Sequence, residues 1–369
     1  MGGDDLKKKV IKLPSNLTRR NYTGGAGIQK FRGNEKRTWI DGNRPEEWIG
    51  SLVEAVNPGM EKIEGEGLAK VTEGSDTWYF KDVIEKNPEF YLGEIYQGDG
   101  VLDFGFLFKV LDSSMRLHVQ AHPTREFAKT ILGKPYGKLE CYYILDVREG
   151  TKPYIRLGFQ HAPSKRLWKK IIETQDMEAM DACFEKILVN VGDIWYIPGG
   201  MPHAIGEGIT LLEIMEPSDL VVRCEFEREG IVVPKEARFM QKDLEFCLEV
   251  FDYKEYSKEE IQKKCKLQPR NLVDTKAYKE DELVARNITG GFHVKRYQIN
   301  TFMEFENDEK PKLAIVCKGK IEIKESEEVV TVNQGESFFL AAALEKAIFL
   351  NKSEHQSEIC MVCSERTDR

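Results

Sequence analysis

The sequence contains no apolar run approaching the roughly 20 residues needed to cross a bilayer. Its charged first twelve residues hold no apolar core of signal-peptide length. It has no basic surplus either. The 54 Lys and Arg stand against 62 Asp and Glu, for a net charge of −8, which gives no electrostatic ground for nucleic acid or an anionic membrane as partner. A phosphorylated ligand would have to be met by locally placed Lys or Arg. The eight cysteines are scattered through strand-like or helix-like stretches, and only Cys360 and Cys363 lie close together. No second pair and no thioredoxin-like context accompanies them, so they read as reduced thiols on a final strand. These absences point to a cytoplasmic, reducing compartment. The glycine-rich stretch at 22–27 (Y-T-G-G-A-G) lacks the Walker pattern and a flanking strand and helix. It reads as a turn or a site-facing loop rather than a phosphate cradle.

What is present is the balance of a globular protein, with 41% hydrophobic and 31% charged residues over 369 positions, long enough for two or three domains. Residues 106–111 (F-L-F-K-V-L) read as a buried strand. At 116–122 (R-L-H-V-Q-A-H) the pattern alternates, placing Leu117, Val119 and Ala121 on one face and His118, Gln120 and His122 on the other. Pro123 stops that strand, Thr124 caps a short helix over 125–132, and 133–137 form a loop. Strand signals follow at 139–147, 187–189, 194–197, 209–214 and 220–226, with two helix-like segments in 165–184. Residues 235–266 favour helix, 267–287 read as a link, and from Phe292 onward short strands return. The expectation is a mainly β fold with three parts. Residues 1–234 form a β unit with helical insertions, 235–287 a helical and linking segment, and 288–369 a second small barrel or sandwich.

The strongest local feature is 192–203 (G-D-I-W-Y-I-P-G-G-M-P-H), in which a turn leads into a strand that ends at Pro198 and delivers His203. This spacing resembles the second motif of the cupin barrels, whose histidine is a metal ligand, although Glu207 stands where that motif often has Asn. Upstream, Gln120 and His122 are two residues apart, the spacing at which strand side chains point the same way. Glu140 follows after an insertion. An amide oxygen, two imidazoles and a carboxylate suit Zn²⁺, with Fe²⁺, Mn²⁺ and Co²⁺ as alternatives. The resemblance implies two cupin (double-stranded β-helix, or jelly-roll) domains. In the second, Ala341, Ala343 and Lys346 replace the proline, glycine and histidine, so it is expected to be metal-free, with His293 and His355 as strand or surface residues.

The chain also resembles a specific family, the type I phosphomannose isomerases, over roughly 15–235. The resemblance is carried by K-V-L at 109–111, L-H-V-Q-A-H-P at 117–123, G-K-L-E at 137–140, the 192–203 segment and S-D-L-V-V-R at 218–223. It implies one zinc ion per chain, held by Gln120, His122, Glu140 and His203, with Lys138, Asp219 and Arg223 lining the substrate site. It further implies a small phosphosugar substrate and aldose–ketose exchange through a cis-enediol. Asp219 is the candidate acid–base group, Arg223 a fork for substrate oxyanions, and Lys138 a second such contact. His118 departs from the family, which usually has serine there. It fits a phosphate contact, a proton shuttle, an extra ligand, or a sugar without phosphate. A silent sugar-binding or regulatory cupin and a cupin oxygenase are the alternatives. Gln120 weighs against the oxygenase, and the retained Lys138, Asp219 and Arg223 against the silent protein. Nothing in the sequence indicates an oligomeric state.

Overall fold

In the strand Ile209–Met215 (I-T-L-L-E-I-M) all seven residues are buried, as they are in Leu107–Ser113. A strand with one wet face cannot do this, so both faces of its sheet are covered. The structure, a computed structural model, shows how. It describes residues 6–96, 98 and 100–365; the outermost residues of the expected first and last units, 1–5 and 366–369, lie outside them.

Leu211 packs on one face with Leu111, Tyr142 and Ile144, inside a first barrel. Leu212 and Ile214 point the other way. With Phe108 and Val110 they share one core with Leu313, Ile315 and Val362 of a second barrel. Among the described residues the first barrel pairs a seven-stranded sheet with a five-stranded one, and the second pairs a seven-stranded sheet with a four-stranded one. The two larger sheets lie back to back through the shared core. The outer face of the five-stranded sheet (Ala121, Ala204 and Val222), with Val119 just before it, is covered by Trp168, Ile171 and Ile172 of the helix Lys165–Thr174. This is the mainly β, two-cupin architecture with helical insertions that the sequence suggests.

Two segments sit elsewhere than expected. The strand Val10–Leu13 pairs with Ser337–Leu340, so the beginning of the chain is stitched into the second barrel. The expected link at 267–287 is built mostly of strand: Arg270–Asp274 and Tyr278–Val284 extend the second barrel's larger sheet, while Lys266–Leu267 pairs with Ile194–Ile197 of the first. Arg270–Asp274 is an edge strand, four of whose five residues are exposed. Its polar composition hides the alternation by which strands are recognised. The connecting helix Lys258–Cys265 does form, with a capping box between Ser257 and Glu260. We propose a domain organisation in which a first unit reaches to about 234, a connecting segment follows, and the strands from Arg270 onward, rather than from 288, form the second unit together with Val10–Leu13.

The eight cysteines are free and buried, with Cys360 and Cys363 on the final strand Ser357–Ser364. Burial pushes both thiols up, which makes them inert. The glycine-rich stretch does bind an anion through its backbone, but an internal one: the Gly25 and Gly27 N–H groups donate to Asp112 Oδ2 at 2.6 and 2.9 Å. A Cβ on Gly27 would lie 2.1 Å from Thr210 Oγ1 and 2.2 Å from Asp112 Oδ1. Gly27→Ala is therefore expected to destabilise the protein by about 1–3 kcal/mol through overpacking, seen as a lower melting temperature in a thermal scan.

Candidate metal centre and cavity

Gln120 sits in the five-stranded sheet, between its central strand and one edge strand. Its short strand, Gln120–Ala121, has His203 opposite on one side and Arg223 opposite on the other. Directly opposed residues in antiparallel strands project to the same face, so these three side chains share the barrel interior. Glu140 opens the strand Glu140–Val147 of the facing sheet, opposite Ile197 and Met215. The Pro-Gly-Gly turn after Ile197 closes the arrangement. Gly200 N–H donates to the His122 carbonyl at 2.6 Å, and a Cβ on Gly199 would lie 2.6 Å from Thr124 Cα. Glycine is needed there for the turn to approach the segment that carries His122.

His122, Glu140 and His203, all buried, offer ligand atoms within 4.8 Å of one another. Their tautomers follow from their neighbours. His122 Nδ1 lies 2.9 Å from the Leu220 carbonyl and His203 Nδ1 2.9 Å from the Met201 carbonyl. A carbonyl only accepts, so each Nδ1 carries the proton and each Nε2 keeps a lone pair. Burial and the Lys138 ammonium push His122 down to about 3, and burial likewise lowers His203, so both rings are neutral near pH 7. Both lone pairs face a carboxylate: His122 Nε2 is 3.0 Å from Glu140 Oε1, and His203 Nε2 is 3.6 Å from Glu140 Oε2. His122 Nε2 and Glu140 Oε1 are buried without a hydrogen bond among the described residues. Glu140 stays ionised: burial acts to raise it, but the Lys138 ammonium 3.1 Å from Oε1 and its other partners hold it well below the usual range. The Tyr142 hydroxyl donates to Oε2 at 2.5 Å.

Gln120 Nε2 is 3.4 Å from His203 Nε2. Amide orientation is fixed by its surroundings, and with the amide turned over its oxygen joins the group. The separations of 3.0, 3.4 and 3.6 Å bracket the edge of about 3.4 Å expected for N and O ligands placed tetrahedrally at zinc distances. Acceptors that face one another with no donor between them are what a cation would satisfy. The residues fit a metal ion.

Beside this cluster lies a cavity of about 560 Å³, lined by Gln120, His118, Lys138, Asp219 and Arg223 among others. The structure thus brings all the sequence-predicted residues to one place, with two local corrections. Residues 116–119 are not in a strand: the Val119 N–H donates to Glu225 Oε2 at 2.6 Å, and only Gln120–Ala121 joins the ladder. Asp219 likewise precedes the strand Val222–Arg223, in the loop that follows Met215 and contains Pro217, which has no N–H to donate to a ladder. His118 is buried, burial and the Arg223 guanidinium push it down to about 4, and its Nε2 has no hydrogen bond among the described residues. Arg223 donates to the Ala237 carbonyl at 2.5 Å, and burial, with the Arg20 guanidinium, lowers it to about 10.

The sequence reading missed the far wall. Lys109, opposite both Glu213 and Trp48 in the sheet, has its Nζ 2.9 Å from Glu213 Oε2 and 3.4 Å from Glu46 Oε2. Glu46 also accepts from the Tyr22 hydroxyl (2.7 Å) and Trp48 Nε1 (2.6 Å), with Arg20 Nε at 3.3 Å. The available signal was a single charge inside an otherwise apolar strand, as in F-L-F-K-V-L and I-T-L-L-E-I-M.

Residues 63–149 match the family described as phosphomannose isomerase type I, catalytic domain. The mannose-6-phosphate isomerase of Streptococcus mutans is 35% identical over 143 residues, 38% of this chain and 43% of that protein. The chain thus matches about two-fifths of that relative's length. A crystal structure of the mannose 6-phosphate isomerase from Bacillus subtilis superposes with a TM-score of 0.69 at 20% identity, over 96% of this chain and 99% of the other. A zinc-bound holo mannose 6-phosphate isomerase gives 0.67 at 16%, over 97% and 100%. The fold is theirs over nearly the whole chain, and the chain resembles the type I phosphomannose isomerases.

The far wall has a pH signature. For Glu46, burial acts to raise the carboxyl, but Lys109, Arg20 and its two hydrogen-bond donors bring it down to about 2. Between that value and the ordinary 4.5 the unfolded chain binds the extra proton, so this group's contribution is complete above pH 4.5 and fades as pH falls towards 2. Glu46→Gln should flatten the dependence of melting temperature on pH within that window.

Proposed function

We propose that this chain is a zinc-dependent aldose–ketose isomerase that interconverts mannose 6-phosphate and fructose 6-phosphate through a cis-enediol, with one zinc ion per chain. The observation that carries the reading is the acceptor-only cluster of His122, His203 and Glu140, joined by Gln120, opening onto a charge-lined cavity. Gln120, His122, Glu140 and His203 would hold the ion. Bound there, zinc supplies Lewis-acid stabilisation of negative charge on adjacent sugar oxygens. The resemblance to the type I phosphomannose isomerases supports the substrate class. Among the described residues no helix is long and apolar enough to cross a membrane.

The chain's own residues supply the rest. In the exchange, a proton leaves C2 of the open-chain aldose and one arrives at C1, while the C1 oxygen gains a proton and the C2 hydroxyl loses one. Asp219 lines the cavity beside the cationic groups Arg20 and Arg223. Its carboxylate, placed among these cations at the cavity wall, is the group positioned to take and return the carbon-bound proton. Lys138 lies against Glu140 at the cavity wall, where its ammonium can donate to a sugar oxygen that gains charge. Arg223 offers a guanidinium with no carboxylate within ion-pair distance among the described residues, so a substrate phosphate would find it uncommitted.

A second reading follows from His118. Neutral, lining the cavity and with an Nε2 acceptor that has no hydrogen bond among the described residues, it suits a sugar hydroxyl better than a phosphate dianion. It favours an isomerase of a non-phosphorylated sugar. A coupled assay of zinc-loaded protein on mannose 6-phosphate and on free mannose separates the two. Turnover of the phosphosugar, lost with chelator and restored by Zn²⁺, is the expected result; turnover of mannose alone selects the second reading. Inactivity towards both sugars, with metal bound, would leave a silent sugar-binding protein.

Two substitutions sharpen the test. His203→Ala should weaken zinc binding by more than about 100-fold, since second-shell changes alone cost up to that, measured by chelator competition. Arg223→Ala should lower kcat/KM for mannose 6-phosphate about 10–100-fold, the loss expected for one charge-assisted hydrogen bond.

A further inference from the structure

Glu216 stands between the proposed site and the second barrel. Its side chain is buried, and it follows directly on the last residue of the strand Ile209–Met215. It is bound to Leu139 twice: the Leu139 N–H donates to Glu216 Oε2 at 3.1 Å, and the Glu216 N–H donates to the Leu139 carbonyl at 3.1 Å. Leu139 lies between Lys138 and Glu140. On its other side Glu216 begins the loop that carries Asp219 and then Leu220, whose carbonyl orients His122. One residue therefore sets the spacing between the Glu140 segment and the segment that aims His122.

The remaining oxygen of that carboxylate leads outward. Arg125 Nε donates to Glu216 Oε1 at 2.5 Å, and the other end of the same guanidinium donates to the Thr289 carbonyl at 3.1 Å. Thr289 ends the short helix Arg286–Thr289, which leads into the second barrel's strand Phe292–Ile299. The next residue, Gly290, has φ +70°, and a Cβ there would come within 3.0 Å of Arg125 Nη1. Arg125 itself belongs to the short helix that begins just after His122 and Pro123, and the Pro123 carbonyl accepts from the Lys138 N–H at 3.1 Å.

We propose that Glu216 is a positioning residue and that, through the Arg125 guanidinium, it ties the metal-free second barrel to the metal ligands of the first. The fork geometry matters. Guanidinium can hold a carboxylate with one edge and a carbonyl with another, whereas an ammonium group makes no such planar bridge. Neither Glu216 nor Arg125 lines the cavity, so the pair acts on metal and substrate only through the segments it holds. The effect on turnover rests on the isomerase reading above; the effect on metal affinity does not.

The test compares Arg125→Ala, Arg125→Lys and Glu216→Gln with wild type. Zinc affinity is measured by chelator competition, kcat and KM on mannose 6-phosphate, and melting temperature without metal. Arg296→Ala serves as control, because Arg296 also reaches across the units, to the Tyr143 hydroxyl at 3.4 Å, away from the metal ligands. The expected result is zinc binding weakened about tenfold in Arg125→Ala and Glu216→Gln, at the lower end of second-shell effects. A comparable fall in kcat should accompany it, with KM within about threefold, since misplacement of reacting groups acts on turnover. Arg125→Lys should recover only part of the loss, and Arg296→Ala should leave zinc affinity unchanged. Affinities within twofold of wild type in both variants would overturn the proposal. So would losses that Arg296→Ala reproduces at equal cost in melting temperature. If wild type fails to isomerise mannose 6-phosphate, the functional reading falls and zinc affinity alone decides the tie.

Discussion

Two imidazole lone pairs and a carboxylate meet in the buried barrel interior, and no donor among the described residues is placed to satisfy them all. Unmet acceptors of this kind cost several kcal/mol when buried, yet the fold holds them there. Each comes from a different element: His122 from the end of a two-residue strand, His203 from the start of another, Glu140 from the facing sheet. The Leu220 and Met201 carbonyls fix both rings with their acceptor nitrogens inward. Lys138 relieves only part of the problem, since it reaches Glu140 but has no proton contact with either ring nitrogen. A cation turns this liability into a bonded centre, and the rest of the first barrel can be understood as what keeps the four side chains in place.

The second barrel supplies the contrast. The same topology there is packed solid, with Phe338, Phe349, Tyr297 and Met361 in a single apolar cluster. Lys346, at the place where a metal-binding cupin has histidine, is exposed and paired with Glu306 at 2.8 Å. His293 is a buried strand residue 3.0 Å from Glu365, and His355 is exposed. With its lumen filled, this unit packs as a solid backing against the sheet that carries Glu140. The shared core and the Tyr143 hydroxyl bond to Glu358 at 3.0 Å hold it in register with the strand that starts at Glu140.

Much of this could be seen in the order of residues. The Q-x-H pair, Glu140 and the G-x5-P-x-G-x2-H spacing are local patterns, and local patterns survive in a linear sequence. Lys138 and Arg223 were legible for the same reason. The far wall was not, because Glu46, Lys109 and Glu213 become a unit only when three strands pair side by side. Nor was the tie between Arg125 and Thr289, which joins positions 164 residues apart. The strand Arg270–Asp274 was lost for a different reason: an edge strand with polar side chains lacks the period-two burial from which strands are inferred.

The place of His118 shows how a departure from regular structure bears on specificity. In an unbroken strand, the N–H of Val119 would bond to a neighbouring strand. Here it donates to the Glu225 carboxylate instead, and Arg116 braces that carboxylate with two bonds of 2.6 Å. A side-chain pair thus replaces a piece of sheet. Breaking such a buried pair from one side costs about 3–5 kcal/mol, so the segment is held as firmly as a ladder would hold it while leaving His118 free to project into the cavity. A bulky ring at this position, where the resembling family carries a small hydroxyl side chain, fills space and removes a donor. In the proposed function, His118, which lines the cavity beside Arg223, is the residue on which the choice between a phosphorylated and a free sugar turns.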